Sequence, residues 1–238
     1  MHLVVRYLRP MPATAADLRP ERTADGSLTL RSAVLDEQYH SLHGAVQEST
    51  HVFIRMGLEG VKKPHVDVLE IGLGTGLNFL LTWIRALEGK CTVGYTALEP
   101  FPLSVELLQA LDHCNELAWP GLNAPFLERM TVPRDEPWEV FGGLRFQLLQ
   151  QPVQDLQVDA VADLIYFDAF GPPTQPDMWT LEVFQRMFRA LRPDGILVTY
   201  CAKGAVRRTM QQAGFTVERL PGPPGKREML RGRKTMDR

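Results

Sequence analysis

The feature that most constrains this chain is a short apolar run, Val66-Asp67-Val68-Leu69-Glu70-Ile71, that ends directly in the spaced glycines Gly72, Gly74 and Gly76. A run this short and this aliphatic, with Pro64 before it, suits a strand buried on both faces. Glycines at alternate positions let the backbone turn tightly and approach a ligand closely. Beyond them Leu77, Leu80, Leu81, Ile84 and Leu87 lie on one side of a helix that stops at Gly89. The free amides of its first turn point back at the glycines. A dinucleotide fingerprint requires G-x-G-x-x-G, and position 77 is Leu, so that fingerprint fails.

After this unit strands and helices alternate. TVGYTAL (92–98), RFQLL (145–149), DLIYFDA (163–169) and GILVTY (195–200) read as strands. Helices are predicted from Ser104, a good N-cap, along the stripe Leu181, Phe184, Met187, Phe188 and Leu191, and over 205–213. FTVERL (215–220) and EMLRG (228–232) read as a closing hairpin. The prediction is an α/β fold, a doubly wound, mostly parallel seven-stranded sheet with helices on both faces. Its ligand crevice would lie at the carboxyl ends of the strands, near the switch in strand order. The proline-rich stretch 119–143 reads as an irregular insertion.

Ahead of this core, spanning 64–232, the pattern is different. Residues 1–22, with Pro10, Pro12 and Pro20, read as a flexible arm. Residues 23–60 read as an extension belonging to one domain over 23–238. Asp25-Gly26, between alternating residues of 23–32, signals a β-hairpin, and 39–58 reads as mostly helix. No stretch approaches the roughly 18 apolar residues of a membrane span, and the start lacks the order of a secretory signal. Cys91, Cys114 and Cys201 are widely spaced and read as reduced thiols, so the expected location is the cytoplasm and no membrane partner is expected.

Net charge is −2, but it is unevenly spread. From Lys203 to Arg238 there are ten Lys or Arg against three Asp or Glu, which leaves the rest of the chain acidic. The basic end reads either as a phosphate-facing patch or as an ordinary solvated tail.

Three acids stand where chemistry would be expected. Glu70 precedes the glycines. Glu99 ends the second strand of the core, where a carboxylate can accept hydrogen bonds from both hydroxyls of a ribose, or simply sit at the surface. Asp168 follows LIYF, beside Phe170, a flat stacking surface. It could orient an amine and take its proton, or merely cap the loop. Trp179 would line a pocket or anchor a helix. His40, His43 and His51 with Glu48 match no metal-ligand spacing, so no metal is expected.

The G-x-G-x-G turn preceded by an acid resembles the first motif of class I methyltransferases. With EIGLGTGLNFLLTW (70–83), DAFGPPTQPDMWT (168–180), the stretch 202–230 ending in PGPPGKREML, and YHSLHGAVQESTHVFI (39–54), the chain resembles the MnmC-like methyltransferases over nearly its whole length after Thr23. The resemblance implies transfer of a methyl group from S-adenosyl-L-methionine to the amine of 5-aminomethyl-2-thiouridine at the tRNA wobble position. It implies cofactor contacts at Glu70, Gly72, Gly74, Gly76 and Asn78, a ribose contact at Glu99, and an active-site role for Asp168. Phe170 and Pro172 would face the modified base, and Lys226 and Arg227 would meet tRNA phosphates. Where the family often has Gly-Asp for the adenine end, this sequence has Gln150-Gln151, with Asp155 further along, so any of the three can serve. In 238 residues there is no room for the FAD-dependent oxidase domain of bifunctional members, so the stand-alone form is expected. A methyltransferase of a small-molecule amine, or a non-catalytic cofactor- or RNA-binding module, are the alternatives on the same scaffold.

Overall fold

The computed structural model describes residues 17–132, 136–140 and 142–235. Most of the segment read as an arm, residues 1–16, lies outside them, as does Pro133 of the insertion.

Among the described residues the central sheet has eight strands. They are β4 (His65–Ile71), β5 (Thr92–Leu98), β6 (Trp138–Val140), β7 (Leu144–Leu149), β8 (Ala162–Phe167), β9 (Leu191–Thr199), β10 (Thr216–Pro221) and β11 (Glu228–Arg233), in the order β10-β11-β9-β8-β4-β5-β7-β6. Seven are those read from the sequence; the eighth, β6, pairs antiparallel with β7 at the sheet edge, inside the stretch read as irregular. That stretch also forms a helix, Asn123–Thr131, despite Pro125. Pro125 is its third residue, where the missing amide would have had no intrahelical partner anyway.

The chain runs outward through β4, β5 and β7, then returns to place β8 and β9 on the other side of β4. The carboxyl ends of β4 and β8 therefore form the switch point. α2 (Leu77–Leu87) packs Phe79 and Trp83 on one face, where the Phe79 and Phe146 ring centroids are 4.1 Å apart. The opposite face is covered by α6 (Leu181–Ala190) and α7 (Gly204–Gln212), with Phe184, Met187 and Met210 fully buried. Each such side chain contributes about 1.5–3 kcal/mol on burial, which is why the apolar stripes, not local propensity, fix these helices.

Pro193-Asp194-Gly195, a turn-type triplet, lies inside β9, which follows α6 directly, and the β8–β9 register shifts there. In the extension, the hairpin pairs β1 (Leu18–Arg22) with β2 (Leu28–Ser32), so its first strand lies within the segment read as a flexible arm. Pro20 is tolerated because β1 is an edge strand. A two-residue β3 (Glu37–Gln38) completes this small sheet. Helix then covers only α1 (Ala45–Ser49), continued by a π-helical turn over Thr50–Arg55, while residues 39–44 pass irregularly across the carboxyl ends of the main sheet. No helix among the described residues is long and apolar enough to cross a membrane.

Candidate active site

Strand register brings the site together. Ile71, Leu98 and Phe167 are level on β4, β5 and β8, so the residues that follow them leave the sheet side by side. The Gly72 amide donates to Leu98 O at 3.0 Å, Asp168 N donates to Ile71 O at 3.0 Å, and Glu99 N donates to Leu149 O at 3.1 Å. Each anchor is one residue past a strand end. A cavity of about 1130 Å³ opens over these ends.

Gly72 lies at φ 87°, and a Cβ there would stand 2.8 Å from Asp168 O, so the β4 turn and the Asp168 loop pass in direct contact. Glu99 Oε2 accepts from Gly74 N at 3.1 Å and its Oε1 from Phe101 N at 2.9 Å. Burial raises its pKa, opposed by those backbone donors. Lone pairs remain on both oxygens, facing the cavity, for hydroxyl donors. Gln150 and Gln151 line the same end, beside Leu98, Leu103 and Val153. An acid for ribose, amides for a purine edge and a Cβ-free backbone turn fit S-adenosyl-L-methionine.

Several residues expected at the cofactor lie elsewhere. The Glu70 carboxyl is fully buried beneath the glycine turn and off the cavity wall. It accepts from Asn78 Nδ2 at 2.9 Å and from Tyr95 OH at 2.8 Å, and burial holds its pKa well above the usual carboxylate range. Asn78 is buried too; the same Nδ2 donates at 2.8 Å to Asp168 Oδ2. It joins two acids rather than touching the cavity. Gly76 faces away, against the helix of the insertion: a Cβ there would meet Met130 Sδ at 2.4 Å. Asp155 is exposed and outside the cavity lining, whereas Gln150 and Gln151 are in it. Pro172 and Arg227 are not in the lining either.

Asp168 lines the cavity, as Glu37, Glu48, Glu99 and Asp177 also do. Burial pushes its carboxyl up to about 7, with Glu48 adding to the rise while Asn78 and Lys226 oppose it. Phe170 meets Tyr39 edge-on, with centroids 4.9 Å apart. The Phe170 loop is pinned by Phe170 N donating to Gln175 Oε1 at 3.0 Å and Trp179 Nε1 donating to Phe170 O at 2.8 Å. Trp179 therefore anchors the loop from its buried position.

The sequence reading missed Tyr39, His40, Glu48 and Tyr200 as site residues, all of which line the cavity. Tyr200 was detectable, because it follows β9 much as Asp168 follows β8. The other three come from the extension, folded over the strand ends, and carry no local signal. Burial drives the His40 pKa down to about 3, so the ring is neutral; Nδ1 pairs with Thr29 Oγ1 at 3.1 Å. Lys226 Nζ is not free for phosphate: it pairs with Glu48 Oε1 and lies 4.0 Å from the Tyr200 ring centroid.

Known proteins similar to this chain include the following. The family model for S-adenosyl-L-methionine-dependent methyltransferases matches residues 144–235. The tRNA 5-methylaminomethyl-2-thiouridine biosynthesis bifunctional protein MnmC of Pseudomonas fluorescens is 33% identical over 225 residues, which is 85% of this chain and 33% of the relative. The protein of the same name from Ralstonia nicotianae is 33% identical over 230 residues, 92% of this chain and 35% of the relative. The chain thus spans about a third of the length of these curated relatives. The crystal structure of MNMC2 from Aquifex aeolicus superposes with a TM-score of 0.74, at 23% identity, covering 92% of this chain and 71% of that one, a likeness of fold. By these matches the chain is similar to S-adenosyl-L-methionine-dependent methyltransferases over 144–235 and, over most of its length, to about a third of the length of the MnmC proteins.

Proposed function

We propose that the protein methylates the exocyclic amine of 5-aminomethyl-2-thiouridine at the wobble position of tRNA, and that it works in the cytoplasm. The observation that carries this reading is Asp168: a carboxyl with a pKa of about 7, held by Asn78, in a cavity walled by Phe170, Tyr39 and Tyr200. The relatives' name, which places them in tRNA 5-methylaminomethyl-2-thiouridine biosynthesis, supports the choice of acceptor.

Glu99 and Gln151 would hold the ribose and adenine ends of the cofactor. Bound S-adenosyl-L-methionine supplies a methyl group made electrophilic by its sulfonium. An alkylamine is mostly protonated at neutral pH and cannot attack in that form. Asp168, ionised above about pH 7, takes the proton and leaves a lone pair on nitrogen. Asn78 occupies Oδ2, so Oδ1 is the oxygen presented to the amine. The rings of Phe170 and Tyr39 hold the base flat, which limits the approach of its aminomethyl arm. Lys203, Arg208 and Arg227, exposed on the basic end of the chain, supply cations for phosphates.

The test is methyl transfer from labelled S-adenosyl-L-methionine to tRNA lacking the terminal methyl group, followed by nucleoside analysis. Label in 5-methylaminomethyl-2-thiouridine is expected. Cofactor binding by calorimetry with no label in tRNA, but label on small alkylamines, would overturn the acceptor and favour a small-molecule substrate.

A further inference from the structure

Two segments that are far apart in sequence contribute to the cavity wall. One is the extension at residues 41–51; the other is the end of β10 with the turn that follows it, residues 221–227. They are fastened at three points. His51 Nε2 lies 2.8 Å from Pro221 O. Gly225, at φ 81°, presses so closely on His43 that a Cβ would stand 2.1 Å from its ring. Between them Lys226 Nζ pairs with Glu48 Oε1.

Neither end of that ion pair is loose. Glu48 is buried, and its Oε2 accepts from Ser41 N at 2.8 Å. Lys226 rests on the Tyr200 ring, whose hydroxyl donates at 2.9 Å to the carbonyl of Ala169, the neighbour of Asp168. Glu48, Lys226, Tyr200 and Asp168 all line one cavity.

We propose that Glu48 and Lys226 are positioning residues of this active site, a charge pair that buckles the extension to the β10–β11 turn and sets how readily Asp168 takes a proton. The proposal rests on the reading of Asp168 as the proton acceptor. It goes beyond it by assigning a task to two residues that need not touch the acceptor.

The groups that face Asp168 can be sorted by charge. Asn78 on α2 is neutral, and Glu70 on β4 lies behind it with a pKa well above the usual range. Tyr200 and Cys201, at the end of β9, are both pushed up by burial and stay uncharged at neutral pH. That leaves Glu48 on α1 and Lys226 on the turn as the charges that act, in opposite senses. Losing the carboxylate makes Asp168 more acidic, and losing the ammonium makes it less so.

A merely structural clasp would not give opposite signs, and this makes the test decisive. The carboxyl 13C resonance of Asp168, identified by its loss in Asp168→Asn, is titrated in the full chain, in Glu48→Gln and in Lys226→Met. The midpoint is expected to fall by about one pH unit in Glu48→Gln and rise by about one in Lys226→Met. The double variant should return close to the original value. The acid limb of the kcat profile should move with the midpoints, so that Lys226→Met loses roughly fivefold in rate at pH 7. Midpoints that stay fixed, or that move the same way in both variants, would overturn the pair. Opposed shifts in a protein that methylates no tRNA would uphold the pair and overturn only the acceptor.

Discussion

The cavity has a floor and a roof that are built by different physics. The floor is made of strand ends: Gly72, Glu99 and Asp168 each leave the sheet one residue past a buried strand, and each hydrogen-bonds the last carbonyl of a neighbouring strand. The roof is made of contacts that span the sequence. Lys226 and Glu48 are 178 positions apart, and Thr174 Oγ1 donates to Glu37 Oε2 across 137. Floor positions are fixed by the sheet and have little freedom. Roof positions depend on two surface segments staying docked. In the proposed reaction Asp168 on the floor takes the proton, and the roof tunes that step through Glu48 and Lys226 and meets the acceptor through Tyr39.

The largest effect that would break this division is on the floor. Asp168→Asn keeps the shape and an acceptor for Asn78 but removes the proton acceptor. A fall in kcat of about 10²–10⁴-fold is expected, with cofactor affinity unchanged by calorimetry, because Gly72 and Glu99 are untouched. The unaltered enzyme should show the matching pH dependence. Asp168 is protonated below about 7, so kcat should fall about tenfold per unit as pH drops below that value. A flat profile between roughly pH 5 and 8 would mean that the amine loses its proton elsewhere.

A smaller change tests the roof. Tyr39→Ala removes an edge-on partner of Phe170, and such ring pairs are worth about 0.5–1.5 kcal/mol beyond area burial. The expected result is a roughly 2- to 12-fold rise in KM for the RNA acceptor, with kcat close to its original value. A collapse of kcat at constant KM would place Tyr39 with the floor.

The same division explains what was legible in the sequence. Apolar runs ending in Gly72, Glu99 and Asp168 marked three of the eight strands and the floor they end in, and four further runs marked β7, β9, β10 and β11, because a buried strand and its terminal residue are local facts. β6 was not legible: three residues at an edge carry no period. Neither was the helix over Asn123–Thr131, since Pro125 reads as a breaker unless its position in the first turn is known. Within the floor, sequence could not tell which residues of one motif face the ligand. Gly72 and Gly74 line the cavity while Gly76 abuts Met130, and Asn78 turns inward to bridge Glu70 and Asp168. Those orientations follow from the helix phase of α2 and from packing against the insertion. Tyr39 and Glu48 had no signal at all beyond family likeness, because nothing near them in the chain shows what they will cover.

Lys226 and Arg227 sharpen the comparison at its finest grain. They are adjacent cations in a basic stretch, and the sequence offers no reason to separate them. The structure does: Lys226 points into the cavity against Glu48 and Tyr200, while Arg227 is exposed and outside the lining. An exposed guanidinium contributes to RNA binding through phosphate charge, and that contribution is screened by salt. Arg227→Ala should therefore weaken tRNA binding modestly and lower the slope of log K against log salt by about one, without moving kcat or the pH profile. Lys226→Met should do the reverse, shifting the pH profile while the salt slope holds. If Arg227→Ala instead moved the acid limb, its charge would be acting on Asp168, and the boundary between roof and outer surface would have to be drawn beyond the β10–β11 turn.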